Sequence, residues 1–169
     1  MTISSQDFKE TLAHLAGAVT VITTCDVEGQ PRGFTATSFC SVSLEPPLVL
    51  CCLSTDADCY AAFADARYFA VNILTKQQEA ESQRFAFSGS EKYRGVAFER
   101  GQTGMPLLAN SLATLECSLY AKYPGGDHII ILGLVEHGNI TSSEEAGKPL
   151  LYYAHQYGTF ASLPRDIEE

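Results

Sequence analysis

Between Thr35 and Ser43 this chain places five hydroxyl side chains, Thr35, Thr37, Ser38, Ser41 and Ser43, among the apolar residues Phe34, Phe39 and Val42. Hydroxyls donate and accept hydrogen bonds and apolar neighbours cover flat faces, so such a ribbon suits a planar molecule with a polar edge. An ordinary half-buried strand with its Thr and Ser residues facing water fits the same alternation. The other groups able to do chemistry are the turn from Ser54 through Thr55 to Ala57, the pair Arg84-Phe85, His128 after Gly126-Asp127, and the pair Tyr152-Tyr153.

What is missing narrows the chemistry. There is no HExxH, no CxxC, no GxSxG and no P-loop, so metalloprotease, structural zinc, serine hydrolase and nucleotide triphosphatase sites lack their parts. Chemistry without those groups belongs to a cofactor. The six cysteines (Cys25, Cys40, Cys51, Cys52, Cys59 and Cys117) form no metal-binding spacing, and Cys51 and Cys52 point to opposite faces of any strand that holds them. They are read as reduced, small buried hydrophobes, and no metal site is expected.

The formal net charge of −9 repels phosphate backbones and argues against a nucleic-acid partner. A small anionic cofactor would need local donors instead. The absence of a long apolar run argues against a membrane span, and the N-terminus MTISSQDFKE lacks a signal-peptide pattern, so a soluble, cytoplasmic protein is expected. The 169 residues fit one domain.

Several elements must position these residues. Phe8, Leu12 and Leu15 predict an amphipathic helix over residues 5–16, stopped at Gly17. Residues 19–24 and 32–42 read as a hairpin across Asp26-Val27-Glu28-Gly29, and residues 48–53, after Pro46-Pro47, read as a buried strand. A short helix follows around Tyr60 to Ala64, then a strand over residues 69–74. Thr75 with Gln78 predicts a capping box for a helix from 76 to about 86. Residues 87–110 read as an extended loop with a strand near Phe98, residues 112–123 and 128–135 as a hairpin about Pro124-Gly125-Gly126-Asp127, and residues 150–153 as a last strand. Six or seven mostly antiparallel strands with inserted helices predict a mainly β fold, a closed or partly open barrel. No GxGxxG turn supports a doubly wound sheet.

The segments GFTATSFCSVSLEPPLVLCCL (33–53), FAVNIL (69–74), SQRFA (82–86), GDHIIILG (126–133) and PLLYY (149–153), in that order, resemble the short-chain flavin reductases that serve two-component flavin-dependent monooxygenases. The resemblance covers about residues 7 to 160 and implies a single FMN-binding split β-barrel domain, a homodimer that reduces FMN or FAD with NADH or NADPH and releases reduced flavin to a partner oxygenase. It also implies that Thr35, Ala36, Thr37, Ser38 and Ser41 line the flavin, with Cys51, Cys52 and Leu53 on the strand beside them. His128 would position nicotinamide or flavin; as a residue by itself it also reads as a turn histidine capped by Asp127. Tyr152 and Tyr153 would lie near the nicotinamide, although strand aromatics also fill cores. Arg84 would meet the flavin phosphate or be one more solvated charge at a helix end.

The sequence Ser54-Thr55-Asp56-Ala57-Asp58-Cys59 departs from the relatives, many of which carry a basic residue there. Two carboxylates facing a phosphate would weaken flavin binding, which suits a flavin that is released as a product. A non-enzymatic flavin-binding or electron-carrier protein on the same barrel is the alternative, followed by a barrel with no ligand.

Overall fold

In the computed structural model, residues 2–141 and 147–163 are described. The first helix, α1 (Ser5–Ala13), starts where Ser4 caps it by accepting from Asp7 N–H at 3.1 Å, and it ends before Gly17. It buries none of its residues: Phe8, Leu12 and Leu15 are 52%, 48% and 73% exposed, and Leu15 lies beyond the helix end. The stripe predicted for the core therefore faces outward.

In chain order there follow β1 (Gly17–Ala18), β2 (Thr20–Cys25), β3 (Pro31–Ala36), β4 (Cys40–Leu44), β5 (Pro47–Ser54), α2 (Tyr60–Asp65) and β6 (Tyr68–Ile73). A 3-10 turn, Lys76–Gln78, runs into α3 (Glu79–Ala86), with the side chain of Gln78 accepting from Thr75 N–H at 3.1 Å as the capping box requires. Then come a 3-10 turn, Ser90–Tyr93, and β7 (Phe98–Arg100), β8 (Pro106–Leu108), β9 (Ala113–Gly125), β10 (His128–Ile140), β11 (Leu150–Tyr153) and β12 (Gln156–Thr159).

Seven strands form one antiparallel sheet in the order β3-β2-β6-β9-β10-β5-β4. Laid flat, seven strands at about 4.8 Å spacing would hold the edge strands about 29 Å apart. Yet β3 and β4 are joined by residues 37 to 39 alone, which span at most about 15 Å. The sheet must therefore curl until its edges face each other. No ladder joins β3 to β4, so the barrel is partly open, mostly antiparallel and split.

The barrel interior holds Ile22, Phe34, Leu53, Phe69, Val71 and Ile131, closed by Phe63 of α2, whose ring meets Phe34 edge-on at 5.1 Å. A second cluster outside β2 contains Val19, Val21, Leu74, Phe85, Leu108 and Leu150. Because β2 lies between the two, its residues from Thr20 to Thr24 are all buried, which explains the β-branched run. Gly133 belongs to this economy of space: a Cβ there would lie 2.4 Å from Phe69 Cζ and 2.8 Å from Cys117 Cβ.

Three expectations are corrected. Residues 32–42 are not one strand: β3 ends at Ala36 and β4 begins at Cys40, because the chain crosses from one sheet edge to the other. The segment 87–110 holds a hairpin, β7 with β8, rather than a lone strand. The strand at 150–153 is not the last, since β12 pairs with it, and β1-β11-β12 form a small sheet of their own. The turn of that last hairpin, Ala154-His155, has φ of 47° and 62° without a glycine, a conformation that costs an L-residue about 1 kcal/mol.

Candidate functional site

Residues 37 to 39 take no part in either ladder, so their backbone N–H and C=O groups are available to water or a ligand. The ribbon is fixed at both ends. Thr35 Oγ1 donates to Ser82 C=O at 2.7 Å, stitching β3 to α3. Ser38 Oγ accepts from Cys52 N–H at 3.1 Å and lies 3.3 Å from Cys52 C=O, stitching the ribbon to β5. Thr37, between them, is exposed.

On the α3 side, a pocket of about 520 Å³ is lined by Thr35, Thr37, Ser82, Phe87, Tyr152 and Tyr157 among others. Tyr152 and Tyr157 pack edge to face at 5.1 Å across β11 and β12, and Tyr157 Oη lies 2.9 Å from Ser82 Oγ. The wall is thus aromatic, with hydroxyls anchored on α3 and β3. Tyr153 points the other way, toward His14 Nδ1 at 3.5 Å, so the predicted tyrosine pair splits across the strand.

Phe87 is shared with a neighbouring cleft of about 400 Å³ that holds Arg84, Lys92 and Arg94. Arg84 Nη1 donates to Arg94 C=O at 3.0 Å and Arg94 pairs with Glu91 at 3.1 Å. Lys92 is buried and pairs with Asp58 at 2.6 Å, while Gly89 N–H donates to the same carboxylate at 2.7 Å. Burial works to raise the Asp58 carboxyl, but the bonds from Lys92 and Gly89 outweigh it and hold it below its ordinary value. Asp58 is therefore committed to Lys92 rather than set against an incoming phosphate. This alters the expectation of two opposing carboxylates and leaves Asp56 as the one not tied to Lys92.

On the other side of Ser38, β5 and β10 pair Ser54 with His128 and Cys52 with Ile130, so these four share the outer face. Thr55 N–H and Oγ1 both donate to Asp127 C=O, at 3.0 and 3.1 Å, which ties the Ser54 turn to the hairpin tip. His128 Nδ1 lies 2.7 Å from Asp127 Oδ1, with the imidazole half exposed. The hydrogen bond from His128 lowers the Asp127 carboxyl. Asp127 caps His128 through Nδ1, a bond that does not engage Nε2.

Several predicted residues offer a ligand only their backbone. Ala36, Cys51 and Leu53 face the barrel core and Phe85 the second cluster, where its ring meets Tyr93 and Phe98 edge-on. Inward register along the strands, and the inner face of α3 for Phe85, keeps these four side chains off the surface. Ser41 is exposed on β4, and Ala57 is half-buried against the core. Burial raises the thiols of Cys51, of Cys59 to about 11 and of Cys117 to about 12, so these three are inert hydrophobes, whereas Cys40 is exposed against expectation.

The sequence reading missed Ser82, Phe87, His155 and Tyr157. Ser82 stood inside a quoted motif, but Tyr157 comes into place only through a turn that carries no glycine or asparagine to announce it. Among the described residues there is no cluster of metal-binding side chains, and no helix long and apolar enough to cross a membrane.

Residues 12–161 match the family model described as a flavin reductase like domain. The chain is 43% identical over 150 residues to the reductase component of 4-hydroxyphenylacetate 3-monooxygenase from Thermus thermophilus, covering 89% of this chain and 93% of that protein. It is 36% identical over 158 residues to the NADH:riboflavin 5'-phosphate oxidoreductase of Streptomyces pristinaespiralis, covering 93% and 89%. Among solved structures, the NADH:FAD oxidoreductase of Streptomyces globisporus, in complex with NAD and FAD fragments, superposes with a TM-score of 0.84 at 33% identity, over 95% of this chain and 97% of that one.

Proposed function

We propose a function from the premise that this chain belongs to the flavin reductase-like domain family: it is an NAD(P)H:flavin oxidoreductase that supplies reduced flavin to a separate monooxygenase. The observation that carries the reading is the ribbon of residues 37 to 39, free of both ladders and flanked by the aromatic pocket on one side and His128 on the other.

Hydride transfer from nicotinamide to flavin is the chemistry the two bound groups supply; it needs contact and orientation rather than a strong acid or base. The free amides and carbonyls of the ribbon, with Thr37 and Ser38, match the alternating donors and acceptors of the isoalloxazine edge. Tyr152, Tyr157 and Phe87 give apolar contact and exclude water. Arg84, whose guanidinium is exposed in the basic cleft, takes the first phosphate, a group common to FMN and FAD. His128, oriented by Asp127, holds the nicotinamide from the opposite side of the ribbon. NADH is the donor in the names of both of these relatives, and we take it as the donor here. Because Asp58 neutralises Lys92, Arg84 is left as the main counter-charge, consistent with a flavin that exchanges freely.

A second copy of the chain is the occupant we assign to the outward apolar residues of α1 and of the sheet, among them Phe8, Leu12, Val42, Leu44, Tyr123 and Ile140. A size-exclusion mass of twice the 18.3 kDa chain supports this, and a fully active species of single-chain mass overturns it.

The test of function is a cuvette assay. Purified protein should consume NADH at a rate that saturates with added FMN, and should quench FMN fluorescence. Quenching without NADH consumption leaves the electron-carrier reading standing instead, and the absence of both rules out either.

A further inference from the structure

His155 occupies the second position of a two-residue turn between β11 and β12, bounded by the pair Tyr153 and Gln156. Both turn residues have positive φ, 47° at Ala154 and 62° at His155. Turns of this shape favour Asn-Gly or Asp-Gly, because a side chain at positive φ crowds its own backbone. A hairpin that keeps histidine where glycine fits better holds strain, and such strain persists where the side chain has a use.

The use is indicated by where the imidazole lies. His155 lines the pocket of about 520 Å³ and is the one residue of that lining with a side chain able to carry a positive charge. Its ion-pair partner among the described residues is Glu10 of α1, at 3.8 Å from Nε2, with both side chains more than half exposed. That separation is too long for a hydrogen bond, so the ring nitrogens are free to meet a ligand.

We propose that His155 is a flavin-binding residue: its imidazole donates a hydrogen bond to the electron-rich pyrimidine edge of the isoalloxazine ring. The bond strengthens when the ring is reduced and carries negative charge, so His155 favours the reduced over the oxidised flavin. This rests on the reading that the flavin ring occupies the pocket beside Thr35 and Thr37.

Three variants separate the two layers. His155→Gly removes the donor and relieves the turn; His155→Asn tolerates positive φ and keeps a donor; Ala86→Trp fills the pocket from α3. Binding of oxidised FMN is read by fluorescence quenching, binding of photoreduced FMN by anaerobic titration, and folding by the thermal midpoint. The expected result is that His155→Gly keeps or raises the midpoint while weakening reduced FMN about tenfold and oxidised FMN less, with His155→Asn within about threefold of the parent. If Ala86→Trp loses FMN but His155→Gly binds both forms as the parent does, the flavin reading stands and the role of His155 is wrong. If Ala86→Trp binds FMN like the parent, the ring lies elsewhere and both fall. A lower midpoint for His155→Gly also overturns the proposal, since the turn would then not be strained.

Discussion

Lys92 Nζ lies 2.6 Å from Asp58 Oδ1 in an ion pair whose lysine side chain is 5% exposed and whose aspartate is 30% exposed. The pair links the turn before α2 to the 3-10 turn that borders the basic cleft, and Gly89 N–H adds a third point of attachment.

Asp58→Ala leaves a buried ammonium without its partner and should lower unfolding stability by about 2 kcal/mol in urea titration. Lys92→Met in the same chain should recover much of the loss, because it removes the charge rather than the packing. The pH dependence follows from a carboxyl held below its ordinary value. Its contribution is complete above the ordinary carboxylate range, near pH 4, and is withdrawn as the pH falls through the depressed folded value. Asp58→Asn should therefore flatten the acid limb of stability against pH, and an unchanged limb would rule the pair out as its source.

Gly133→Ala should cost about 2–3 kcal/mol, since the added methyl meets Phe69 Cζ at 2.4 Å and Cys117 Cβ at 2.8 Å inside a filled barrel. Phe69→Leu in the same chain should restore part of it in thermal unfolding. Full stability of the single variant would mean that β10 can shift outward.

His128→Ala should lower kcat/KM for NADH about tenfold while the FMN dissociation constant stays near that of the parent, the split expected of a group that meets the donor rather than the flavin. Asp127→Ala should show a weaker version of the same split, because it frees the imidazole bound at 2.7 Å without removing it. Steady-state kinetics with NADH varied at saturating FMN reads both.

Glu116→Gln should destabilise the fold by about 2 kcal/mol and leave flavin turnover per folded molecule unchanged. The buried carboxylate accepts from Gln102 N–H at 2.9 Å and from Thr103 N–H at 2.7 Å, and an amide would turn a donor toward one of them. Burial works to raise this carboxyl, yet the bonds from Thr103 and Gln102 bring it below its ordinary value. Its contribution is present above that ordinary range and lost in acid, so the variant and parent should converge in stability as the pH falls below about 4.

How much of this was legible depends on whether the signal was local. The capping box of Thr75 and Gln78, the buried run of β5 and the long hairpin of β9 and β10 announce themselves by residue type and spacing. The break after Ala36 does not, because hydroxyl and apolar residues go on alternating through Thr37 and Phe39 whether or not the chain stays in a ladder. The turn at Ala154-His155 lacks every residue that favours it, so β12 and with it Tyr157 were invisible. Within the candidate site, His128, Tyr152 and the ribbon could be read from motifs. The α3 wall could not, since Thr35 and Ser82 meet 47 positions apart through a hydroxyl and a carbonyl. The apolar stripe of α1 was visible as a pattern, but a pattern does not say what covers it.

The three residues that join the two rims of the curled sheet have an engineering consequence. Lengthening the chain at the exposed β2–β3 turn near Val27 leaves every strand with its neighbours, so tags or sensor modules belong there. One residue added among Thr37, Ser38 and Phe39 would slacken the covalent link between the rims and displace Ser38 from Cys52, so a single insertion at this seam should uncouple electron donor from acceptor while the rest of the molecule still folds.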